Sequence, residues 1–286
     1  MQTKILAAAG FIALIILVVG GYTYNTSKSK NKNGVEEKIG VAVTIPPQAE
    51  FVEGVGGDRV RVTVMVPPGA NPHTYEPKPS QLREASTARM YAKVGTRIEF
   101  ELEWLDKILS INRKILLIDC SEGIQNFEND PHIWLSPRNA QIIVQNIYEG
   151  MAQVDPSNKD YYERNKEQYI QKLSELDKEI TKALSQKKSR EILVYHSEWA
   201  YFARDYNLEE IPIEKEGKEP SIKRVSGLIK QAKENKISTV FISPEFYTGS
   251  AKVIADEIGG EVVFVSTLQK NYIENMHQIA EAFAEN

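Results

Sequence analysis

The sequence predicts an α/β protein with two lobes, and three observations lead to this fold class. Short, β-branched apolar runs alternate with helical patterns along the body of the chain, which is typical of βαβ units and parallel sheets. One long helical pattern without glycine or proline separates these units into two sets. The 286 residues are enough for two lobes of about 100–150 residues each. We therefore expect two α/β lobes joined by one long helix.

Composition narrows the class of protein. Hydrophobic residues make up 42% and charged residues 26% of the chain, as in an ordinary globular protein. The net charge is −4 and the basic residues are spread among acidic ones, so we expect no nucleic-acid partner. Cys120 is the only cysteine. This excludes a disulfide framework and a cysteine zinc site, and we expect Cys120 to pack in the core.

The N-terminus has the pattern of an export signal. Ile5 to Tyr22 is apolar and follows Lys4, and at about 18 residues it also approaches the ~20 needed to span a bilayer. No convincing small-x-small cleavage site follows, so residues 1–24 are either a signal peptide or a membrane anchor. Residues 25–38 are rich in Lys, Asn and Ser and predict a flexible tether. We expect the folded body outside the cytoplasm, tethered to the outer face of the membrane or secreted.

The predicted N-terminal lobe covers residues 39–156. Pro46-Pro47 is expected to end its first strand, and Gly56-Gly57 to close the helix that follows. Ser80 and Ser136 are candidate N-caps, and Pro137 suits the first position of the helix after Ser136. The pattern predicts strands at 39–45, 60–66, 90–94 and 114–118, and helices at 48–55, 80–88, 99–109 and 137–154.

The linking helix is predicted within residues 157–188, and the C-terminal lobe covers 189–286. Apolar residues recur at helical spacing from Tyr162 to Ile180, but they are too few for a coiled coil. A helix that lies across the body and joins the lobes is therefore expected. In the second lobe the pattern predicts strands at 191–195, 208–213, 239–242 and 262–265, and helices at 197–206, 221–235, 249–258 and 271–284.

Three of the four histidines stand where an α/β protein places its binding sites. His73 and His132 each follow a short polar residue and a proline, in Asn71-Pro-His and Asp130-Pro-His, and His196 ends a predicted strand. Taken alone, the proline-rich loop around His73 could be just a rigid turn. Such strand-end positions converge on one crevice, however. His277 lies within a predicted helix, where we expect a surface or packing role.

Three imidazoles form a competent zinc site with one open position. The open position allows either a binding site or a hydrolytic centre in which the metal acidifies a bound water. No general base stands at a telling spacing beside the histidines, so we do not expect an enzyme. Copper, nickel or cobalt could also bind three imidazoles in vitro.

Several segments resemble the zinc- and manganese-binding solute-binding proteins of ABC importers. They are PPGANPHTYEPKPSQL, DPHIWLSP and VYHSEWAYFARDYNL, together with GGDRV and DPSNKDYYERN, and the resemblance runs from about Ile39 to the C-terminus. It implies two pseudo-symmetric lobes bridged by one rigid long helix, with the metal between them. It also implies an ABC permease and its ATPase subunit as partners. We expect a monomer.

The same resemblance implies that His73, His132 and His196 are metal ligands. Zinc-binding members have histidine at the third position and manganese-binding members glutamate, so His196 implies zinc rather than manganese. At the fourth ligand the chain departs from the family, which usually reads Asp-Pro-Leu where this sequence reads Ser266-Thr-Leu. The fourth position could be filled by Ser266, which is a poor neutral ligand for zinc, or by a water, Glu245 or Glu198.

A second departure concerns the family's histidine-rich mobile loop. The corresponding segment, Ser121 to Asp130, is short and has no histidine. Because members of the family are also described as adhesins, a surface protein for cell adhesion that retains the fold is an alternative function. The primary prediction is an extracytoplasmic protein that captures zinc and delivers it to a permease.

Overall fold

The computed structural model describes residues 38–127, 130–214, 218–246 and 249–285. The predicted signal or anchor at 1–24 and nearly all of the tether lie outside these residues. Within the described ranges, no helix combines the length and the apolar character needed to cross a membrane.

The N-terminal lobe is a four-stranded parallel sheet with helices on its faces. The sheet order is β2-β1-β3-β4, and every neighbouring pair is parallel. The elements in chain order are β1 (Ile39–Val43), α1 (Pro46–Gly56), β2 (Val60–Val64), α2 (Pro79–Ser86), β3 (Met90–Lys93), α3 (Glu99–Ile111), β4 (Leu116–Asp119) and α4 (Pro137–Val154).

The C-terminal lobe repeats this arrangement. Its sheet order is β6-β5-β7-β8, again parallel throughout, so both lobes begin in the interior of the sheet and wind outwards in the same sequence. The elements are β5 (Glu191–Val194), α6 (Ala200–Tyr206), β6 (Glu209–Pro212), α7 (Ile222–Glu234), β7 (Thr239–Ile242), α8 (Gly249–Ile258), β8 (Glu261–Phe264) and α9 (Tyr272–Glu285). The predicted fold class is confirmed.

Between the lobes lies one long helix, α5 (Lys159–Ser185), which at 1.5 Å per residue is roughly 40 Å long. It packs against α1, α4 and α9, and therefore touches elements of both lobes. Its buried stripe carries the apolar residues that predicted it, namely Tyr162, Tyr169, Leu173, Leu176 and Ile180, and it continues to Leu184.

The core is continuous across the lobes. One apolar cluster extends from the first sheet through α5 to α9 and one face of the second sheet, and a second cluster lies between the other face and α7 and α8. Cys120 is fully buried in the first cluster, as expected.

One predicted helix start and one predicted helix end were right, and one predicted start was wrong. The Ser136 hydroxyl accepts a hydrogen bond from the Asn139 N–H at 3.1 Å, which confirms Ser136 as the N-cap of α4. Gly57 closes α1 with a φ of +55°, a conformation that suits glycine. Ser80 is not an N-cap, because α2 begins at Pro79, whose fixed φ and missing N–H suit the first helical position.

Two other helix starts differ from the prediction. The prolines Pro46 and Pro47 open α1 rather than separate it from the preceding strand, for the same reason that Pro79 opens α2. In the second lobe α6 starts at Ala200, three residues later than predicted. The N–H groups of Glu198 and Trp199 donate instead to the Glu210 carboxylate, and the chain is irregular up to Ala200.

Candidate metal centre

The loops that carry His73 and His132 use the same local device. The Asn71 side-chain oxygen accepts the His73 N–H at 2.8 Å, and the Asp130 carboxylate accepts the His132 N–H at 2.8 Å. In both, a short polar side chain bonds the backbone two residues ahead across a proline, which fixes the turn before a ligand arrives. His196 comes two residues after β5 ends.

The structure brings these three histidines together. The ring centroids of His73 and His132 are 5.6 Å apart, those of His73 and His196 5.3 Å, and those of His132 and His196 5.4 Å. One nitrogen from each ring lies within 4.8 Å of the others. Within the described part of the chain, no other group of three or more His, Cys, Asp or Glu side chains meets this condition.

A carboxylate contacts the Nδ1 atom of each imidazole. Glu99 lies 2.5 Å from the Nδ1 of His73, Asp130 lies 2.6 Å from that of His132, and Glu214 lies 3.1 Å from that of His196. When Nδ1–H donates to a carboxylate, Nε2 carries the lone pair and the ring becomes a better ligand. The three carboxylates therefore prepare three Nε2 atoms to bind one cation.

Two of the three Nε2 atoms have no competing partner among the described residues. Those of His73 and His196 are buried and make no hydrogen bond with any described residue. A buried polar atom without a partner is costly unless something else binds it. The donor set thus fits a borderline ion such as zinc, which is bound by neutral imidazole.

Burial keeps the second imidazole in the form that a metal requires. The His132 side chain is only 3% exposed. Burial lowers the pKa of His132, and the neighbouring imidazoles lower it further, although the Asp130 carboxylate acts in the opposite direction. His132 is consequently neutral at pH 7, and its Nε2 lone pair is available.

Aromatic side chains support two of the rings. Phe246 stacks on His196, with ring centroids 4.1 Å apart and planes inclined by 20°. Trp134 meets His132 edge-on at 5.2 Å. These rings restrict the imidazoles that they touch and replace water on their faces.

The candidates for a fourth ligand differ in their hydrogen bonds: the two carboxylates are bound by hydroxyl groups, whereas the serine hydroxyl is not bound by any residue that the structure describes. The Glu198 carboxylate, 2% exposed, accepts a hydrogen bond from the Thr267 hydroxyl at 2.9 Å, and burial raises its pKa well above the usual range. The Glu245 carboxylate accepts a hydrogen bond from the Ser243 hydroxyl. Neither carboxylate belongs to the group of atoms within 4.8 Å. The Ser266 hydroxyl is buried and has no hydrogen-bond partner among the described residues.

Sequence reasoning missed the carboxylates that orient the imidazoles. Glu99 and Glu214 are 26 and 18 residues from their histidines, and no local pattern links them. Asp130 could have been found, because it has the position of Asn71 in a repeated turn but bears a charge. His277, on α9, is 40% exposed and pairs with Glu179 at 3.2 Å, which confirms its expected surface role.

Comparison with known proteins places this site in context. The profile of the family described as "ZnuA: Zinc-uptake complex component A periplasmic" matches residues 41–286. A crystal structure of ZnuA is 42% identical, with a TM-score of 0.84, over 87% of this chain and 99% of the other. A ZnuA deletion mutant crystallised with zinc bound is also 42% identical, with a TM-score of 0.83, over 87% of this chain and 97% of the other. The high-affinity zinc uptake system protein ZnuA of Bacillus subtilis (strain 168) is 27% identical over 90% of this chain and 86% of that protein.

Proposed function

Because the chain belongs to the ZnuA family of zinc-uptake components, we propose that it captures zinc between its two lobes and delivers the ion to an ABC-type permease. The observation that carries this proposal is the set of three imidazoles, each with a carboxylate at Nδ1. Zinc is the ligand proposed, bound by His73, His132 and His196. Manganese, which prefers carboxylate oxygen, fits this nitrogen set less well.

The proposal concerns binding and delivery rather than chemistry on a substrate. A three-histidine zinc centre with an open position could in principle hydrolyse a substrate. The family is one of zinc-uptake components rather than of enzymes. The buried acid Glu198, two residues after the candidate ligand His196, is held by a hydrogen bond from Thr267, and we propose no catalytic role for it.

Zinc titration of the purified full-length chain in mild detergent tests the binding step. Competition with a chromophoric chelator should give one tightly bound zinc per chain. Substitution of His73, His132 or His196 by alanine should weaken binding by at least about 100-fold, more than the 10–100-fold typical when a residue that orients a ligand is lost. His277→Ala is the matched control and should bind zinc like the wild type. A wild-type chain that binds no zinc, or equal losses in all four variants, would refute the assignment.

Delivery requires a second experiment, because tight binding alone does not demonstrate transport. In cells that lack this gene, the wild-type chain should restore growth when zinc is scarce, and His132→Ala should not. Restoration should depend on the partner permease and its ATPase subunit. If His132→Ala restores growth as well as the wild type, zinc capture at this site is not what the cell uses.

We further propose that the body lies outside the cytoplasm and that residues 1–24 tether it or direct its export. The apolar run from Ile5 to Tyr22 supports this. External protease should degrade the body in intact cells if it lies outside, and protection would contradict that location. An alkaline carbonate wash should leave an anchored chain in the membrane pellet and release a cleaved one.

A further inference from the structure

The Asp130 carboxylate contacts both lobes at once. One oxygen, Oδ1, accepts the His132 N–H at 2.8 Å and lies 2.6 Å from the Nδ1 of the same residue. The other oxygen, Oδ2, accepts the N–H of Ala200 in the C-terminal lobe at 3.1 Å. The side chain is only 8% exposed. A single buried carboxylate therefore holds a candidate ligand of one lobe and a backbone amide of the other.

The amide that it reaches belongs to the segment that carries His196. Ala200 opens α6, four residues after His196. The two amides before it, those of Glu198 and Trp199, donate to one oxygen of Glu210 at 2.8 and 3.1 Å. Three successive N–H groups after His196 are thus bound by two carboxylates, one from the same lobe and one from the opposite lobe.

Further contacts fix the loop around Asp130 to both sides. The Thr96 hydroxyl, just beyond β3, donates to the Pro131 carbonyl at 2.8 Å. The Phe127 N–H donates to the Tyr201 hydroxyl on α6 at 3.1 Å. This loop is consequently attached to the segment after β3 at one point and to α6 at two points, one of them through Asp130.

The other carboxylate of the N-terminal lobe that contacts a candidate ligand, Glu99, makes no bond to the opposite lobe in the described contacts. Glu99 pairs with His73 within its own lobe, and its side chain is 49% exposed. It therefore offers a natural comparison. Both carboxylates orient an imidazole, but Asp130 also bonds the backbone of the opposite lobe.

We infer that Asp130 is a positioning residue that sets His132 and His196 relative to each other across the cleft. The inference rests on the proposed zinc site. If the ion binds both imidazoles, zinc occupancy and the Asp130–Ala200 hydrogen bond stabilise each other. This coupling is reciprocal: zinc should protect the Ala200 amide, and loss of the hydrogen bond should weaken zinc binding.

The substitution Asp130→Asn tests whether the two acceptor oxygens of Asp130 matter, because it keeps the size of the side chain. The Asn side chain has the shape of Asp but only one acceptor oxygen, and its NH₂ group is a donor. Whichever way the amide points, it presents a donor either to His132 or to the Ala200 N–H. In Glu99→Gln the remaining oxygen can still accept from the His73 Nδ1–H, so that variant should keep its contact.

The test combines zinc affinity with amide exchange of the full chain measured by NMR. Asp130→Asn should weaken zinc binding by about 10–100-fold, and Glu99→Gln by less than about tenfold. In the wild type, zinc should slow exchange of the Ala200 amide by about 5–150-fold. In Asp130→Asn it should still slow the Trp199 amide, which Glu210 holds, but no longer that of Ala200.

Each outcome decides one question. If wild-type zinc binding leaves Ala200 exchange unchanged, or if Asp130→Asn loses no more affinity than Glu99→Gln, the inference is wrong. It is also wrong if zinc protects Ala200 and Trp199 equally in Asp130→Asn. Should that variant fail to fold, the wild-type comparison with and without zinc decides alone. A wild type that binds no zinc rejects the proposed function itself and is recognised by the titration beforehand.

Discussion

A carboxylate at position 266 should complete the proposed metal site. Ser266 stands two residues beyond the end of β8, and its hydroxyl is buried without a hydrogen-bond partner in the described ranges. The next residue, Thr267, makes two hydrogen bonds. Its carbonyl accepts the Trp134 indole N–H at 2.8 Å, and its hydroxyl donates to the Glu198 carboxylate. Trp134 in turn packs against His132. From these contacts we expect Ser266→Asp to place an anionic oxygen donor near the imidazoles.

The effect on the metal-free protein should be unfavourable. The new carboxylate would be partly desolvated and close to Glu198, an acid whose pKa burial already raises. Burying a polar group without a partner costs about 1–3 kcal/mol. We expect the free energy of unfolding of the metal-free variant to fall by about this amount.

The same substitution should raise the affinity for zinc, although it destabilises the metal-free protein. The ion would gain a fourth, negatively charged ligand of the kind that zinc accepts. An increase of about 10–100-fold in affinity corresponds to about 1.4–2.8 kcal/mol. The difference between the unfolding free energies with and without zinc should grow by the same amount, since zinc binds the folded state.

Chelator competition at pH 7.5 and urea unfolding with and without zinc measure both effects. Ser266→Asn is the matched control, because it adds the same volume without the charge and should not raise the affinity. Ser266→Ala tests whether the hydroxyl itself is a ligand: a water-completed site should keep its affinity within about twofold, well below the tenfold that 1.4 kcal/mol represents. If Ser266→Asp binds zinc no more tightly than Ser266→Asn, position 266 does not face the open coordination position.

Two further predictions concern stability. Burial raises the pKa of Glu210 to about 7, although hydrogen bonds from backbone amides oppose the shift. Between about pH 4.5 and 7, unfolding therefore releases a proton from this carboxyl group. The free energy of unfolding should consequently fall as the pH rises through this window, by up to about 3 kcal/mol. Glu210→Gln should flatten this part of the urea-unfolding pH profile, and an unchanged slope would contradict the assignment. A Cβ at Gly260 would lie 1.8 Å from the Ser238 carbonyl oxygen, whereas one at Gly227 within α7 meets nothing within 4 Å. Thermal unfolding should show a loss of at least about 2 kcal/mol for Gly260→Ala and a gain of up to about 1 kcal/mol for Gly227→Ala, and equal effects would refute the packing argument.

The parts of the fold that follow from local periodicity could be predicted from the sequence. The strand at Thr239–Ile242 and the helices Pro137–Val154 and Gly249–Ile258 have the predicted bounds. The start of α6 could not be predicted, because it depends on Glu210, a side chain from a later strand that binds the Glu198 and Trp199 amides. A sequence window around Glu198 contains no sign of this contact.

The candidate site likewise has a part that could be predicted from the sequence and a part that could not. The meeting of the three histidines could be anticipated, since residues at the carboxyl ends of parallel strands converge. The carboxylates Glu99 and Glu214 could not, because each reaches its imidazole from a separate loop or helix. Single acidic residues at such positions are ordinary in a sequence with 39 of them.

The relative placement of the lobes is set by contacts that no sequence pattern reveals. Glu50 on α1 accepts the Tyr169 hydroxyl of the long helix at 2.6 Å and the Tyr272 N–H at 2.5 Å, although Tyr272 lies 222 residues away. Glu53, one turn along, pairs with Lys270 at 2.8 Å. Together with the shared core and Asp130, these contacts join the lobes that carry the imidazoles at several points. A site ordered in advance loses little conformational entropy when the ion binds, so its affinity depends on the donor set itself. The residue at position 266 should therefore change zinc affinity directly, without a compensating movement of the lobes.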